Sequence, residues 1–342
     1  MTTPHISIVI PTLGRPILKQ TLDSILAAQG ADDLEVLVVG HIEEADVLRH
    51  LETLAARHPA LTHFPVSFPT GDSSRKKNLG AEKSRAEIIA FLDDDVVIAP
   101  DWPARILESF ADPHIGLVSG PSLVPTDVTL FARLAGLALT SRAAGYVAER
   151  YRADSTQNRA VPWSRIIGCN AAYRASVFRE MGGFPPEFYP GEEMIAAWRT
   201  QQLGHGLLFL PAAWVYHYPR QSARRFWRQI WGYGATRIRL KRAGVEFEWA
   251  PLVPAFWVLS LAVLGLGALL HPLFALLLAL DLALYALADA LITVETACRT
   301  RRLSDLLLFP IIPIMHLSYG LAEWYEFFRP NRDFGDRRKK TR

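Results

Sequence analysis

Three consecutive aspartates interrupt an apolar run in the first third of the chain. Residues 88–92 are apolar, Asp93, Asp94 and Asp95 follow, and the apolar run resumes at Val96. A buried strand does not carry three carboxylates unless its end opens onto groups that compensate their charge. Ligands of α/β sheets bind at the carboxyl ends of strands, and clustered carboxylates there suit Mg²⁺ or Mn²⁺. An acidic turn at a strand end is the alternative interpretation.

Strands and helices alternate around this acidic run. Short β-branched runs at 6–10 and 34–39 predict strands, and apolar residues at helical spacing over 17–28 and 45–57 predict the helices that follow them. This order is typical of βαβ units and predicts an α/β fold with a mostly parallel, Rossmann-like sheet. The sequence has no G-x-G-x-x-G or Walker A loop, which argues against a dinucleotide dehydrogenase or a P-loop enzyme.

Beyond residue 102 the pattern is less regular. It predicts a helix over 131–146, a polar loop near the site over 150–159, and a helix over 194–203. The last element of this part is predicted as one strand over 207–217, which ends in His217.

A series of short motifs has the order found in one enzyme family. The chain resembles a family 2 glycosyltransferase of the GT-A fold over roughly residues 5–240. The motifs that carry the resemblance are Ser-Ile-Val-Ile-Pro-Thr at 7–12, Lys-Asn-Leu-Gly at 77–80, Phe-Leu-Asp-Asp-Asp at 91–95, Gly-Gly-Phe at 182–184, Gly-Glu-Glu at 191–193, Trp198-Arg199, Gly204 and the strand ending in His217. The resemblance implies a nucleoside-diphosphate sugar donor, a divalent cation and inversion at the anomeric carbon.

The acidic run, a lysine and a histidine receive roles in this scheme. Asp93 and Asp95 lie on the same side of an extended chain, so we expect Asp95 to bind the metal and Asp93 the nucleotide ribose. Asp94 points the other way and is predicted to be structural or to touch the sugar. Lys77 could add charge at the diphosphate, or it could belong to a solvated helix start. The resemblance assigns His217 to the metal site.

Two adjacent acids begin a predicted helix after a glycine. Glu193 would be the general base, because partial burial raises a carboxyl pKa toward the useful range, and Glu192 would orient it or bind an acceptor hydroxyl. Acids at a helix start also complement the helix dipole, which is the alternative role. Further substrate-binding candidates are Pro11, Thr12, Arg15 and, on the resemblance alone, Asn170.

The sequence departs from the family pattern at two places. The family ends its second strand with an Asp pair that helps hold the nucleoside, whereas here Val39 is followed by Gly40 and His41. Glu43 or Glu44 are candidates to replace that pair. The Glu-Asp base motif of the family appears as Glu192-Glu193, one methylene longer at the base.

A basic, aromatic segment follows the predicted α/β domain. Arginine and lysine recur from 219 to 241 without an acid, and tryptophans are interleaved with them. This composition indicates an amphipathic helix on an anionic bilayer, or a clamp for phosphates. We expect Arg224, Arg228 and Trp231 to contact a lipid-linked or diphosphate substrate.

The last third of the chain is rich in apolar residues. The segments 251–270 and 273–292 are long enough to span a bilayer. Asp281 and Asp289 share one face of the second segment and should face protein, water or the acceptor path, because a charge in lipid is costly. A third segment, 306–328, is interrupted by prolines.

Basic clusters set the expected topology. The segment before residue 251, the cluster at 299–302 and the C-terminal residues should all be cytoplasmic by the positive-inside rule. That arrangement predicts two full spans, with 306–328 re-entrant or lying in the interface. The N-terminal residues 1–11 are predicted to be a strand and not a signal peptide.

These patterns predict four parts. They are a GT-A domain (1–218), a basic interfacial segment (219–248), a membrane domain (249–330) and a basic cytoplasmic tail (331–342). The net charge of +3 makes nucleic acid an unexpected partner, and two distant cysteines support neither a disulfide framework nor a cysteine metal site.

The expected function is a metal-dependent, inverting glycosyltransferase of the cytoplasmic membrane, with its catalytic domain in the cytoplasm. Its partners would be a nucleoside-diphosphate sugar, a lipid-linked or membrane-proximal acceptor in glycoconjugate or cell-envelope synthesis, and membrane lipids. The alternative is a catalytically degenerate glycosyltransferase-like membrane scaffold or regulatory binder, which the altered end of the second strand favours.

Overall fold

The computed structural model describes residues 4–69, 72–153, 157–246 and 248–329. Within these residues the chain forms two compact units, one of residues 4–123 and 149–218, the other of residues 124–148 and 219–329. The segment 124–148, expected in the GT-A domain, thus packs with the C-terminal helices. The predicted tail 331–342 lies outside the described residues.

Strands of the first unit form two sheets. In chain order they are β1 (Ile6–Pro11), β2 (Leu34–Val39), β3 (Leu61–Phe64), β4 (Ile88–Leu92), β5 (Val96–Ile98), β6 (Ile115–Ser119), β7 (Ser122–Leu123), β8 (Arg159–Ala160), β9 (Asn170–Arg174), β10 (Gly206–Phe209) and β11 (Val215–His217). The main sheet has the order β3-β2-β1-β4-β9-β6-β10-β8, and a small sheet has the order β5-β11-β7.

The α-helices alternate with these strands and then continue alone. They are α1 (Leu18–Leu26), α2 (Ala45–Arg57), α3 (Asp72–Lys83), α4 (Trp102–Ser109), α5 (Leu130–Thr140), α6 (Ala175–Glu180), α7 (Glu192–Gln202), α8 (Ala223–Arg242), α9 (Val253–Ala268), α10 (Pro272–Thr300) and α11 (Ile311–Phe328). The helix predicted over 131–146 ends at Thr140, and a 3₁₀ segment, Arg142–Tyr151, follows with a non-helical backbone at Gly145.

The main sheet is parallel on one side and mixed on the other. Strands β3, β2, β1 and β4 pair in parallel, and β9 runs antiparallel between β4 and β6. The strands β1, β2 and β4 are buried almost throughout. Parallel strands covered on both faces are continuous apolar runs, which explains why the sequence pattern located them.

The single strand predicted over 207–217 is wrong. Strand β10 pairs with β6 in the main sheet, whereas β11 pairs with β5 and β7 in the small one. The two are separated by a turn in which the amide of Ala213 donates to the carbonyl of Leu210 at 3.1 Å. Pro211 lies within this turn and has no N–H for a strand ladder. The break places His217 opposite Val96, directly after the acidic run.

In the second unit, α8 packs along α11 at close range. A Cβ on Gly234 would lie 2.3 Å from the carbonyl oxygen of Tyr319, so only glycine allows this approach. Arg239 is buried in the contact and donates to Glu326 at 3.1 Å. The segment predicted to lie on the bilayer surface therefore also has a face buried in protein.

Three helical segments in the described part of the chain are long and apolar enough to cross a membrane: Ala250–Ala268, Pro272–Thr300 and Leu303–Phe328. Their most apolar windows are 17%, 6% and 44% buried, respectively, so the third is the one that packs most against protein. Both aspartates of α10 face protein groups, as expected. Asp289 accepts from Thr293 at 3.3 Å, and Asp281 accepts from Ser260 on α9 at 3.4 Å.

The close approach of α8 and α11 predicts a size limit at position 234. We expect Gly234→Ala to lower the stability of the second unit by about 1–3 kcal/mol, because the added methyl forces the two backbones apart. Thermal unfolding in detergent micelles measures this loss. The matched control is Gly265→Ala on α9, where an added Cβ meets nothing within 4 Å. Equal melting temperatures for the two variants would refute the packing model.

Candidate active site

Asp93, Asp95 and His217 come together at the end of β4 and β11. One ligand atom from each lies within 4.8 Å of the other two, and His217 Nε2 is 3.1 Å from an oxygen of Asp95. Two carboxylates and an imidazole are ligands that Mn²⁺ or Mg²⁺ accepts in proteins. The residues present therefore fit a divalent cation.

The electrostatics of this group favour a cation as well. Burial raises the pKa of Asp93, and the neighbouring carboxylates of Asp95 and Asp94 act in the same direction. Burial alone would lower the pKa of His217, but the carboxylate of Asp95 outweighs it and holds that pKa well above its usual value. A cation between these side chains would stabilise the carboxylates that burial destabilises.

The Asp94 side chain faces the loop after β1. It does not belong to the group formed by Asp93, Asp95 and His217. Its carboxylate accepts hydrogen bonds from the Thr12 hydroxyl at 2.7 Å and the Leu13 amide at 3.1 Å, and it pairs with the guanidinium of Arg15. Of the two roles predicted for Asp94, these contacts support the structural one. Arg15 reaches on to Asp95 at 3.0 Å, so the guanidinium borders the candidate metal site.

The predicted substrate contacts of the β1 loop have different surroundings. Thr12 is buried, and its hydroxyl donates to Asp94 and accepts from the amide of Gly14 at 2.9 Å. Pro11 is the last residue of β1 and lies opposite Val39. The Arg15 side chain is 41% exposed, so it retains surface with which to meet a ligand. The substrate-binding roles of these three residues stay predictions.

Lys77 is buried beneath the site and is not part of a solvated helix start. Its ammonium donates to Glu192 at 3.1 Å and lies 5.1 Å from the centre of the Phe184 ring. Burial alone would lower the pKa of Lys77, but the carboxylates of Glu192, Asp93 and Glu193 raise it. One positive charge thus serves both the acidic run and the pair at the start of α7.

Glu193 lies in the first turn of α7, and its pKa is well above the ordinary value of a glutamate. Burial, together with the adjacent Glu192 carboxylate, raises the pKa of Glu193 to about 7, and Lys77 and Arg150 oppose the rise. A Cβ on Gly168 would lie 2.9 Å from the Glu193 side chain. Position 168 must therefore be glycine for the Glu193 side chain to fit against it. Gly191 precedes the pair with φ at +109°, a left-handed conformation that favours glycine.

Asn170 is not available to a donor sugar, which corrects its predicted role. The residue is fully buried, and its Oδ1 accepts from the indole nitrogen of Trp102 at 2.9 Å. Its amide nitrogen donates to the carbonyl of Ala213 at 2.8 Å. Asn170 therefore holds β9 to α4 and to the turn before β11, which is a structural task.

The three predicted contacts of the basic segment lie on α8 in the second unit. Arg224 and Arg228 are exposed, whereas the Trp231 ring lies against Trp227 and Tyr325, with ring centroids at 6.4 and 5.4 Å. Their contact with substrate stays a prediction.

Two residues near the site were missed in the sequence. Arg150 is buried, donates to the carbonyl of Ser164 at 3.1 Å and acts electrostatically on Glu193. Cys169 is buried and is among the groups that raise the pKa of His217. Neither residue lies in a motif, and Arg150 falls in a segment whose polar composition predicted a loop. The loop predicted near the site begins at Arg150, but its composition gave that residue no role, and no sequence signal marked Cys169.

A mixed α/β sheet with an Asp-x-Asp run, a strand-end histidine and a paired acid at a helix start defines a GT-A glycosyltransferase domain. The model of the family described as "Glycosyl transferase family 2" matches residues 7–182, more than half of the chain. The chain belongs to this family.

Several curated proteins are similar to part of the chain. A pre-mycofactocin glycosyltransferase of Mycobacterium tuberculosis is 28% identical over 211 residues, which cover 59% of this chain and 42% of that protein. The O-antigen chain rhamnosyltransferase WbaN of Salmonella anatum is 26% identical over 203 residues, covering 54% and 62%. This chain therefore spans less than half of the mycobacterial relative.

A solved structure shares the fold over nearly the whole chain. The mannosyltransferase PcManGT of Pyrobaculum calidifontis, in complex with GDP-Man and Mn²⁺, superimposes with a TM-score of 0.58 at 18% identity. The match covers 96% of this chain and 88% of that one. At this identity the likeness establishes the GT-A fold alone.

The ligand group predicts stabilisation by Mn²⁺. We expect Mn²⁺ in hundredfold excess over its dissociation constant to stabilise the wild type by about 2.7 kcal/mol. The shift in melting temperature should disappear in Asp95→Asn and in His217→Ala, each compared with its own metal-free sample.

His205→Ala serves as the control for the loss of a histidine, because His205 pairs only loosely, at 3.7 Å, with Glu180 in the same unit. A wild type that Mn²⁺ leaves unchanged would refute the site, as would an undiminished shift in Asp95→Asn.

Proposed function

We propose that this protein is a metal-dependent, inverting glycosyltransferase that uses a nucleoside-diphosphate sugar. It transfers one sugar to a lipid-linked or membrane-proximal acceptor in the synthesis of a glycoconjugate or cell-envelope polysaccharide. The observation that carries the proposal is the pairing, in one unit, of the group Asp93, Asp95 and His217 with a glutamate whose pKa is about 7. Lys77 joins the two halves electrostatically.

The transfer is a single displacement at the anomeric carbon. As the acceptor oxygen attacks, the bond from that carbon to the diphosphate breaks on the opposite face, and the Glu193 carboxylate takes the acceptor proton. A base is most effective when its pKa lies near the working pH, which the value of about 7 satisfies. Glu192, fixed by Lys77, holds the start of α7 and thereby positions Glu193.

The residues at the end of β4 and beside it would hold the positive charges that neutralise the donor diphosphate. Asp95 and His217 would hold the cation, with Asp93 directed to the nucleotide ribose or to the same ion. When bound, the divalent cation would offset the negative charge of the leaving diphosphate. Arg15, partly exposed beside Asp95, is placed to contact a donor phosphate. Lys77 donates to Glu192, so we propose that it positions the acid pair and does not bind the diphosphate directly.

The acceptor and the compartment follow from the second unit and the relatives. One of the two relatives named above is an O-antigen chain rhamnosyltransferase, and the helical segments in residues 250–328 suit a membrane. We infer that the catalytic unit faces the cytoplasm and that Ala250–Ala268 and Pro272–Thr300 cross the bilayer. The third segment, nearly half buried in its apolar window, would be re-entrant or interfacial.

A degenerate scaffold is the competing function. The altered end of β2 favours it, because Gly40 stands where the family has an acid. The complete acidic group and the raised pKa of Glu193 favour the enzyme. Turnover of nucleoside-diphosphate sugars by the purified protein with Mn²⁺ distinguishes the two functions.

If Glu193 is the general base, activity should depend on its protonation and should fall when it is replaced. Glu193 can accept the acceptor proton only in its ionised form. Since its pKa is about 7, kcat/KM should fall as the pH drops below about 7. Glu193→Gln should lower kcat about 10²- to 10⁴-fold at pH 8, with little change in donor binding.

The control is Glu187→Gln, an exposed acid shortly before α7. A flat acid limb, or equal activity in the two variants, would remove Glu193 from the mechanism. A wild type that neither binds nor cleaves any nucleotide sugar would leave only the scaffold.

The proposed topology can be tested with the native cysteines. Cys298 is exposed near the end of α10, beside the cytoplasmic basic cluster, and Cys169 is buried in the first unit. We expect a membrane-impermeant maleimide to label Cys298 only after intact cells are permeabilised. Cys298→Ser is the control and should abolish labelling, because Cys169 is shielded. Labelling of Cys298 in intact cells would invert the topology.

A further inference from the structure

A cavity of about 570 Å³ lies within the second unit. Its walls come from the segment 139–147, from α8, and from α9, α10 and α11. The volume is within the range of sites that enclose one ligand of drug size. None of the residues that line the cavity belongs to the acidic site of the first unit. The proposed mechanism does not use the cavity.

The hydroxyls and the imidazole on the wall are engaged with protein partners. His316 contacts the carbonyl of Ala143 at 2.8 Å through Nε2 and the Tyr285 hydroxyl at 3.0 Å through Nδ1. The Tyr319 hydroxyl accepts from Arg237 at 3.0 Å, and the Tyr146 hydroxyl donates to a carboxylate at 2.7 Å. The cavity therefore offers a ligand mostly carbon surface, including the stacked rings of Trp257 and Tyr285, whose centroids are 3.9 Å apart.

The helices around the cavity indicate where such a ligand comes from. Both α9 and α10 are candidate membrane spans, and large apolar side chains such as Leu266, Leu276 and Leu284 are exposed on them. A bilayer covering those side chains brings lipid chains to the cavity wall. A hydrocarbon chain from the membrane is thus the occupant that the surroundings supply.

One charged side chain on the wall indicates the head group. Arg142 lines the cavity, and its side chain is 74% exposed. Its pairing with Glu295, at 3.2 Å and itself 46% exposed, is a surface salt bridge of the kind that contributes little stability. The guanidinium is free to exchange this partner for a phosphate, which it can bind through two N–H groups.

We infer that this cavity binds the hydrocarbon chain of a single-chain lipid phosphate, with Arg142 at the phosphate. The volume fits one chain, the carbon walls fit a hydrocarbon, and the arginine fits the head group. The assignment of this lipid as the carrier of the acceptor rests on the proposed function; its binding does not.

Photo-crosslinking tests the site directly. The full chain in detergent micelles is irradiated with farnesyl phosphate that bears a diazirine, with no donor sugar present, and the labelled peptides are identified by mass spectrometry. We expect labels in residues 143–147, 253–257 and 315–319. Ala288→Phe, which fills the cavity from α10, should weaken binding about tenfold, equivalent to ~1.4 kcal/mol. Ala283→Phe, on the same helix but away from the cavity, should bind as the wild type does.

Competitors separate the parts of the inference. Unlabelled farnesyl phosphate should displace the probe, whereas farnesol and a diacyl phosphatidic acid should compete at least tenfold less well. Arg142→Gln should abolish the advantage of farnesyl phosphate over farnesol. Equal competition by farnesol overturns the phosphate contact, and equal competition by phosphatidic acid overturns the single chain. Labels elsewhere in the chain, or equal loss in Ala288→Phe and Ala283→Phe, overturn the site.

Sugar transfer is assayed separately. Crosslinking that persists in a protein without transferase activity would leave the cavity assigned and the proposed function refuted. The reverse result would refute the cavity alone.

Discussion

The first unit depends on one buried ammonium group. Lys77 lies between the acidic run after β4 and the acid pair at the start of α7, and its charge is shared by Glu192, Asp93 and Glu193. Several carboxylates held out of water repel one another, and each costs free energy unless a positive group is near. Lys77 supplies that positive charge, which allows the acidic run and the acid pair to lie close together.

Much of this arrangement was predictable, because it follows from local patterns. Buried parallel strands are long apolar runs, so β1, β2 and β4 were located, and the acids fall at strand or helix ends where charge is tolerated. The grouping of Asp95 with His217 followed from the family order. The register that brings them to 3.1 Å did not, because it depends on a turn at Pro211 that moves β11 into a second sheet.

The wrong or missed side-chain roles share a physical cause, since the partners of these side chains are distant in sequence. Asn170 was assigned to the donor sugar on the family resemblance alone, yet its side-chain amide is hydrogen-bonded to Trp102 and Ala213, 68 and 43 positions away. Arg150 lies in a polar stretch of the sequence, but in the fold it donates to the carbonyl of Ser164 and lowers the pKa of Glu193. Hydrogen-bond satisfaction is decided by the folded packing, and a single sequence records only the residue type.

The departure at the end of β2 has a steric explanation that links it to the acidic run. A Cβ at position 40 would lie 2.1 Å from the carbonyl oxygen of Thr12, so an aspartate cannot replace Gly40 while the β1 loop keeps its place. That loop is held by Asp94, which binds the Thr12 hydroxyl, and by Lys76, which donates to the Thr12 carbonyl at 2.8 Å. The middle aspartate therefore fixes the loop whose backbone excludes the usual acid. Loss of that acid is part of a self-consistent packing of β1, β2 and β4, and does not by itself indicate a degenerate site.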